Sequence, residues 1–153
     1  MYTSQRTTWF LIADGARMRM FESLGSNEPE KWTLIDSEEA ENVRKASREL
    51  GTERAGRGQK TGSGARFAMD AATLDEDLED QFIHGIAANL NAAVKDEKFD
   101  QLVLTLPPRA LGELRKKLTP ETTQKLIGVF DKEVTQLSEN DLFDYFKEHL
   151  KKW

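Results

Sequence analysis

The feature that most constrains the fold is an amphipathic stripe in the middle of the chain, flanked by short apolar runs. Large apolar residues recur every four positions, at Leu74, Leu78, Phe82, Ile86 and Leu90. This spacing predicts a helix with one buried face. The apolar runs at 8–13 and 100–106 are too short for helices of this kind and are typical of buried strands. A helix between buried strands favours an α/β fold.

The residues after the first strand indicate a hairpin. Asp14-Gly15 is typical of a tight turn, because glycine adopts the positive φ that such turns need. Ala16–Glu22 then alternates apolar and polar residues, with Met18 and Met20 on the apolar side. This alternation predicts a second, half-exposed strand whose methionines enter the core.

Weaker signals complete the order of elements. Thr73 and Glu76 form a capping-box pattern, which predicts that the long helix begins there. The remaining segments are predicted as strands at 32–36 and 126–130, a short helix after Pro107-Pro108 that Thr119-Pro120 breaks, and a closing helix capped by Ser138. The resulting order βββ-α-β-α-β-α predicts a mixed β-sheet flanked by helices.

Length and composition favour one soluble domain that covers residues 1–153. The absence of cysteine excludes disulfides, thiol catalysis and cysteine metal sites, and the two histidines, His84 and His149, are far apart in sequence. We therefore expect no metal and no cofactor. His84 is expected to form a surface pair with Asp80 one turn earlier. The first apolar run is too short for a signal sequence or a membrane span, so a cytoplasmic location is expected.

The segment between Arg44 and Arg66 differs in charge from the rest of the chain. It holds seven basic residues against two acids, a charge of about +5, whereas the whole chain carries −5 and the remainder about −10. Residues 38–66 show no sustained apolar period and are predicted to form a long, flexible basic loop. Half of the protein's ten glycines lie in this stretch.

A basic, glycine-rich loop suggests contact with an anionic partner, because backbone N–H groups and cationic side chains both bind phosphates. RNA is favoured over a mononucleotide, since the chain has neither a Walker A loop nor the dinucleotide-binding glycine fingerprint. The alternative is a solvated loop with incidental charges. The predicted contacts are the side chains of Arg44, Lys45, Arg48, Arg54, Arg57, Lys60 and Arg66 and the backbone of Gly56, Gly58, Gly62 and Gly64.

The carboxylates do not form an evident acid–base pair. Asp14 is expected for the turn it occupies, and the acids at 75–80 complement the start of a helix. A metal-dependent nuclease would need several acids converging from separate elements, and Asp14, Asp36 and Asp70 are the alternative set for that role.

Several segments together resemble the bacterial family of proteins required for attachment to host cells. The resemblance lies in Trp9–Arg17 followed by Phe21, in Arg66–Asp70, in Leu104–Leu118 and in Lys132–Thr135. In the second segment Phe67 stands where the family has histidine. The resemblance covers nearly the whole chain and implies an α/β fold. The family's name describes a phenotype, and a basic loop on an acidic scaffold favours an indirect, intracellular role.

That family in turn resembles the middle domain of archaeal and eukaryotic class 1 peptide-release factors. In that domain a mobile Gly-Gly-Gln loop positions water at the peptidyl-tRNA ester. Gln59 is the matching residue here, after Gly56-Arg57-Gly58. Arg57 therefore interrupts the glycine pair, and its side chain restricts the backbone.

Three functions follow from these observations. The favoured one is a non-enzymatic module that binds the ribosome or another RNA through the basic loop. The second is a peptidyl-tRNA ester hydrolase of release-factor type with Gln59 at the reacting centre. The third is a protein-interaction adaptor that acts through the acidic helices and uses the loop as a passive linker.

Overall fold

The computed structural model describes residues 6–40 and 64–150. Within these residues the predicted order of strands and helices is confirmed, with a one-turn helix and a short 3-10 turn at 29–31 in addition. The strands are β1 Thr7–Ala13, β2 Arg17–Leu24, β3 Thr33–Glu39, β4 Gln101–Thr105 and β5 Leu126–Phe130, and the helices are α1 Gly64–Lys95, α2 Pro108–Lys117, α3 Pro120–Thr123 and α4 Glu139–Leu150.

The five strands form one mixed sheet in the order β3-β2-β1-β4-β5. β2 pairs antiparallel with both β1 and β3, whereas β4 pairs parallel with both β1 and β5. A parallel neighbour needs a crossover connection, and the segment that contains α1 supplies it for β4. Phe10–Ala13 in central β1 is at most 1% exposed, which confirms the predicted buried strand.

Successive residues of β1 belong to two hydrophobic cores on opposite faces of the sheet. Leu11 belongs to the core that α1 and α2 cover, together with Met18 and Met20 as predicted. Phe10 belongs to the core under α4, where its ring stacks on that of Trp32 with 3.7 Å between centroids. The mixed sheet therefore has helices on both faces, which confirms the predicted α/β class.

The start of α1 differs from the prediction. The helix begins at Gly64, and the Thr73 of the predicted capping box lies inside it. A single cap contributes only about 1 kcal/mol. Residues 65–72 include four alanines and one methionine, which are strong helix formers and continue the helix toward its N-terminus.

Most of the predicted basic loop 38–66 falls outside the described residues. At its ends, Glu38 and Glu39 belong to β3, and Gly64–Arg66 opens α1. The prediction of a single domain over the whole chain stays a prediction. No helix in the described part of the chain is long and apolar enough to cross a membrane.

Candidate functional site

The sheet topology creates a crevice where β1 and β4 end. After β1 the chain turns to β2 on one side, and after β4 it passes through α2 to β5 on the other. In α/β sheets, ligands bind at such a point, outside the carboxyl ends of the strands. A cleft of about 270 Å³ lies here, lined by Asp14, Gly15, Ala16, Glu79, Ile83, Pro107, Arg109, Ala110 and Glu133.

Asp14 organises the turn at the floor of this crevice. Its Oδ1 accepts hydrogen bonds from the backbone N–H groups of Ala16 and Arg17, both at 2.8 Å. Its Oδ2 accepts a hydrogen bond from the Thr135 hydroxyl at 2.5 Å. The predicted turn role of Asp14 is therefore confirmed, and the same carboxylate also holds the segment that precedes α4.

Thr135 brings two carboxylates together. Its hydroxyl oxygen lies 2.6 Å from Oε1 of Glu133 as well as 2.5 Å from Oδ2 of Asp14. A hydroxyl carries one proton and donates to one acceptor at a time. The Asp14 and Glu133 carboxylates therefore compete for the same donor and add negative charge to one wall of the crevice.

Gly15 is required for a different reason from the predicted one. Its φ is not positive, so the expectation of a left-handed turn residue is wrong. A β-carbon at Gly15 would instead lie 2.7 Å from Cγ of Glu79, closer than non-bonded carbon atoms approach. The backbone of the turn thus packs directly against the Glu79 side chain on α1.

Arg109 in the first turn of α2 faces the acidic residues of α1. Its guanidinium lies 3.2 Å from Asp80, 3.7 Å from Glu79 and 3.8 Å from Glu76. These distances and the half-exposed side chain make each pair weakly stabilising. Among the described residues, the crevice is lined by the three carboxylates of Asp14, Glu79 and Glu133 and by the guanidinium of Arg109. The net charge of this described lining disfavours phosphate.

His84 has a partner that the sequence did not indicate. Its Nε2 lies 3.1 Å from Oε2 of Glu113 on α2, so the predicted Asp80–His84 pair is wrong. The reason is that α2 packs against this face of α1 and offers Glu113 to the histidine and Arg109 to Asp80. Hydrogen bonds from Lys116 and His84 lower the pKa of Glu113 to about 2.

The alternative nuclease set does not assemble. Asp36 lines a separate groove beside α1, with Trp9 and Leu90, and does not line the crevice that holds Asp14. The side chain of Asp70, the third member of the set, lies outside the described residues. Among the described side chains, those of residues 6–40 and 76–150, no group of three histidine or acidic residues is arranged to hold a metal ion.

Most predicted anion contacts fall outside the residues that the structure describes. Gly64 and Arg66 lie in the first turn of α1. The contacts outside the described ranges are Arg44, Lys45, Arg48, Arg54, Arg57, Lys60, Gly56, Gly58 and Gly62, together with the candidate Gln59.

The described backbone just before and just after residues 41–63 lies on the crevice side of the sheet. The N–H of Ala40, just after β3, donates to the carbonyl of Ala16 at 2.7 Å. α1 runs antiparallel to β1, because Glu79 contacts the turn after β1 and Leu90 lies near Trp9 at the opposite end. Gly64 is 15 residues before Glu79, so the start of α1 lies about 22 Å farther along the helix axis.

The family comparison covers this whole arrangement. Residues 9–145 match the model of the family described as protein required for attachment to host cells. The chain belongs to that family. The match includes the Asp14 turn, Arg109 and Glu133. No curated protein shows a significant match.

Sequence reasoning missed Glu79, Arg109 and Glu133 as crevice residues. Arg109 and Glu133 follow predicted strands, and residues that follow parallel strands line a common edge of the sheet. Glu79 gave no comparable signal, because its position depends on how far α1 extends along the sheet.

Proposed function

We propose that this host-attachment chain is a non-enzymatic module that binds RNA, and ribosomal RNA in particular, through the segment from Arg44 to Arg66. The observation that carries the proposal is the separation of charge along the chain. The segment holds about +5, whereas the remainder holds about −10. Phosphate contacts by lysine and arginine supply most of the affinity in sequence-independent RNA binding.

The geometry of the described residues supports this assignment in two ways. First, Ala40 and the start of α1, the described residues on either side of residues 41–63, both lie on the crevice side of the sheet. Second, the crevice itself carries Asp14, Glu79 and Glu133, which repel phosphate. The body of the protein therefore disfavours indiscriminate contact with RNA, and binding is confined to the basic segment.

Co-sedimentation with purified ribosomes at about 50 mM and about 200 mM salt tests the proposal. Binding should weaken steeply as salt rises, and reversal of Arg54, Arg57 and Lys60 to glutamate should abolish it. Log affinity falls linearly with log salt concentration. Removing one phosphate-binding side chain should make this line less steep by roughly 0.7 to 0.9. Unchanged binding by the triple variant would refute the proposal.

A matched control reverses three exposed lysines at the other edge of the sheet, Lys95, Lys98 and Lys117. It changes the net charge by the same amount and leaves the basic segment intact. We expect it to retain most of the binding, because the long-range effect of net charge is largely screened at the higher salt concentration. Equal loss of binding in both variants would mean that net charge alone drives the association.

The adaptor alternative makes the opposite prediction for the segment. The acidic helices would bind a protein partner, so deletion of residues 50–63 would leave the interaction intact. Affinity purification from the native host at the same two salt concentrations distinguishes the proposals. Recovery of ribosomes supports the RNA module, whereas recovery of one protein by both the intact and the deleted chain supports the adaptor.

A further inference from the structure

A second cleft, of about 380 Å³, lies between β2, β3 and residues 135–137. Arg17 and Arg19 are two positions apart on β2, so their side chains lie on the same face of the sheet. The antiparallel register places Glu39 opposite Arg17 and Ser37 opposite Arg19, so all four side chains share this face. The crevice at the carboxyl ends of β1 and β4 is lined by a different set of residues.

Arg19 is held in place by the protein itself. Its Nη2 donates hydrogen bonds to the carbonyl oxygens of Thr135 and Leu137, both at 2.8 Å. Burial lowers the pKa of Arg19, and the charge of Arg17 lowers it further, whereas Glu139 opposes the shift. The guanidinium is therefore oriented before any ligand binds, and an anion beside it would relieve the repulsion from Arg17.

Arg17 is held only loosely. Its side chain is 36% exposed, and its Nε lies 3.6 Å from Oε1 of Glu39, which is too long for a hydrogen bond. Exposed pairs of this kind contribute little free energy. A ligand carboxylate that accepts hydrogen bonds from the planar guanidinium would form the stronger interaction.

We infer that this cleft binds a carboxylate between the guanidinium groups of Arg17 and Arg19. Ser37 and Gln136 also line the cleft, and both residues carry hydrogen-bonding groups. The side chain of Glu39 shares the face of Arg17, and its charge disfavours a doubly charged phosphate or a polyanion such as RNA. The site is therefore distinct from the proposed RNA contact. Its ligand is either a small organic acid or the carboxyl terminus of a peptide.

Titration of the isotope-labelled full chain, followed by amide NMR shifts at constant ionic strength, tests the inference. Sodium acetate should give saturable shifts at residues 17–19 and 135–137. Arg17→Gln should weaken binding by roughly tenfold or more, because a charged hydrogen-bond donor is removed. Arg17→Lys should have an intermediate effect. Arg115→Gln, which changes an exposed arginine on α2, should bind acetate as the parent does.

Three further probes identify the ligand source and can overturn the inference. N-acetyl-trialanine with a free carboxyl terminus is compared with its amidated form and with inorganic phosphate. Tighter binding of the free peptide than of acetate identifies peptide termini, and tighter binding of acetate identifies small acids. The inference is overturned by non-saturable acetate shifts, by equal binding of the amidated peptide, by tighter binding of phosphate, or by acetate binding that Arg17→Gln leaves unchanged.

Discussion

Gly15 and Glu79 approach so closely that a β-carbon on Gly15 would lie 2.7 Å from Cγ of Glu79 and 3.0 Å from its Cβ. The contact joins the turn after β1 to α1 at the edge of the crevice. Because Cβ is fixed to the helix backbone, rotation of the Glu79 side chain cannot remove the whole overlap. A side chain at this position therefore requires Glu79 to shift, although the φ of residue 15 does not require glycine.

Gly15→Ala should destabilise the protein by about 1–3 kcal/mol, the usual range for overpacking. Urea unfolding followed by circular dichroism measures the change. Glu79→Gly in the same chain should recover part of the loss in stability, because it removes the atoms that clash. A double variant no more stable than the sum of the single changes predicts would contradict this explanation.

Gly85→Ala and Gly112→Ala provide matched controls. Both glycines lie inside helices, and an added β-carbon would meet no atom within 4 Å beyond the neighbouring backbone of its own helix. Each substitution should stabilise the chain by about 0.5–1 kcal/mol through helix propensity. Destabilisation by these variants would show that alanine is unfavourable in this chain for reasons other than the Glu79 contact.

Glu113 predicts a specific acid dependence of stability. The pKa of Glu113 is lowered from 4.5 to about 2. The hydrogen bond from Lys116 is the larger cause, and the hydrogen bond from His84 is the second. A lowered folded-state pKa stabilises the folded state above the unfolded pKa, and the contribution is lost as pH falls from about 4.5 toward 2. The stability difference between the parent and Glu113→Gln should therefore shrink between about pH 6 and about pH 2.5. A difference that stays constant over this range would contradict the prediction.

Trp32 should contribute strongly to the core under α4. Its ring stacks on Phe10 at 3.7 Å, and its Nε1 donates to the carbonyl of Ser26 at 2.9 Å. Trp32→Ala should cost about 3–5 kcal/mol in unfolding free energy. Leu34→Ala on β3 is the control, since that side chain is 48% exposed, and should cost well under half as much. Similar losses of stability in the two variants would contradict the assignment of Trp32 to the core.

Asn91 ties α1 to the end of α2 and to the start of α3. Its Oδ1 accepts hydrogen bonds from the N–H of Thr119 and the hydroxyl of Thr122, and its Nδ2 donates to the carbonyl of Lys117. Asn91→Ala should cost about 1–3 kcal/mol, because polar groups lose their partners. The exposed neighbour Asn89 should tolerate alanine within about 0.5 kcal/mol. An equal effect at both positions would refute the bridging role.

Substitution of Gln59 distinguishes the proposed RNA-binding function from the hydrolase alternative. Arg57 interrupts the glycine pair, so we expect no release of peptide from stalled ribosomes by the purified chain. Gln59→Ala should then bind ribosomes as the parent does. Peptide release that Gln59→Ala removes would instead establish the hydrolase. Arg57→Gly tests whether the interrupted pair is the reason for inactivity.

The strands and the closing helix were predictable because their signals are local. β5 spans the predicted residues 126–130, and α4 follows the predicted Ser138 cap, whose hydroxyl accepts a hydrogen bond from the N–H of Asp141. The start of α1 was not predictable from the Thr73 cap, since helix propensity over residues 65–72 outweighed one capping interaction. The partner of His84 was missed because Glu113 is distant in sequence.

The sequence by itself determined the α/β class, the order of elements, the family resemblance and the net positive charge of one segment in an acidic chain. These properties depend on periodicity, motifs and composition, which are features of the linear sequence. Only the tertiary structure decided that Asp14, Glu79 and Glu133 share a crevice and that Arg17 and Arg19 line a cleft with residues 135–137. Such groupings depend on strand order, register and helix docking, which bring residues more than a hundred positions apart within hydrogen-bonding distance.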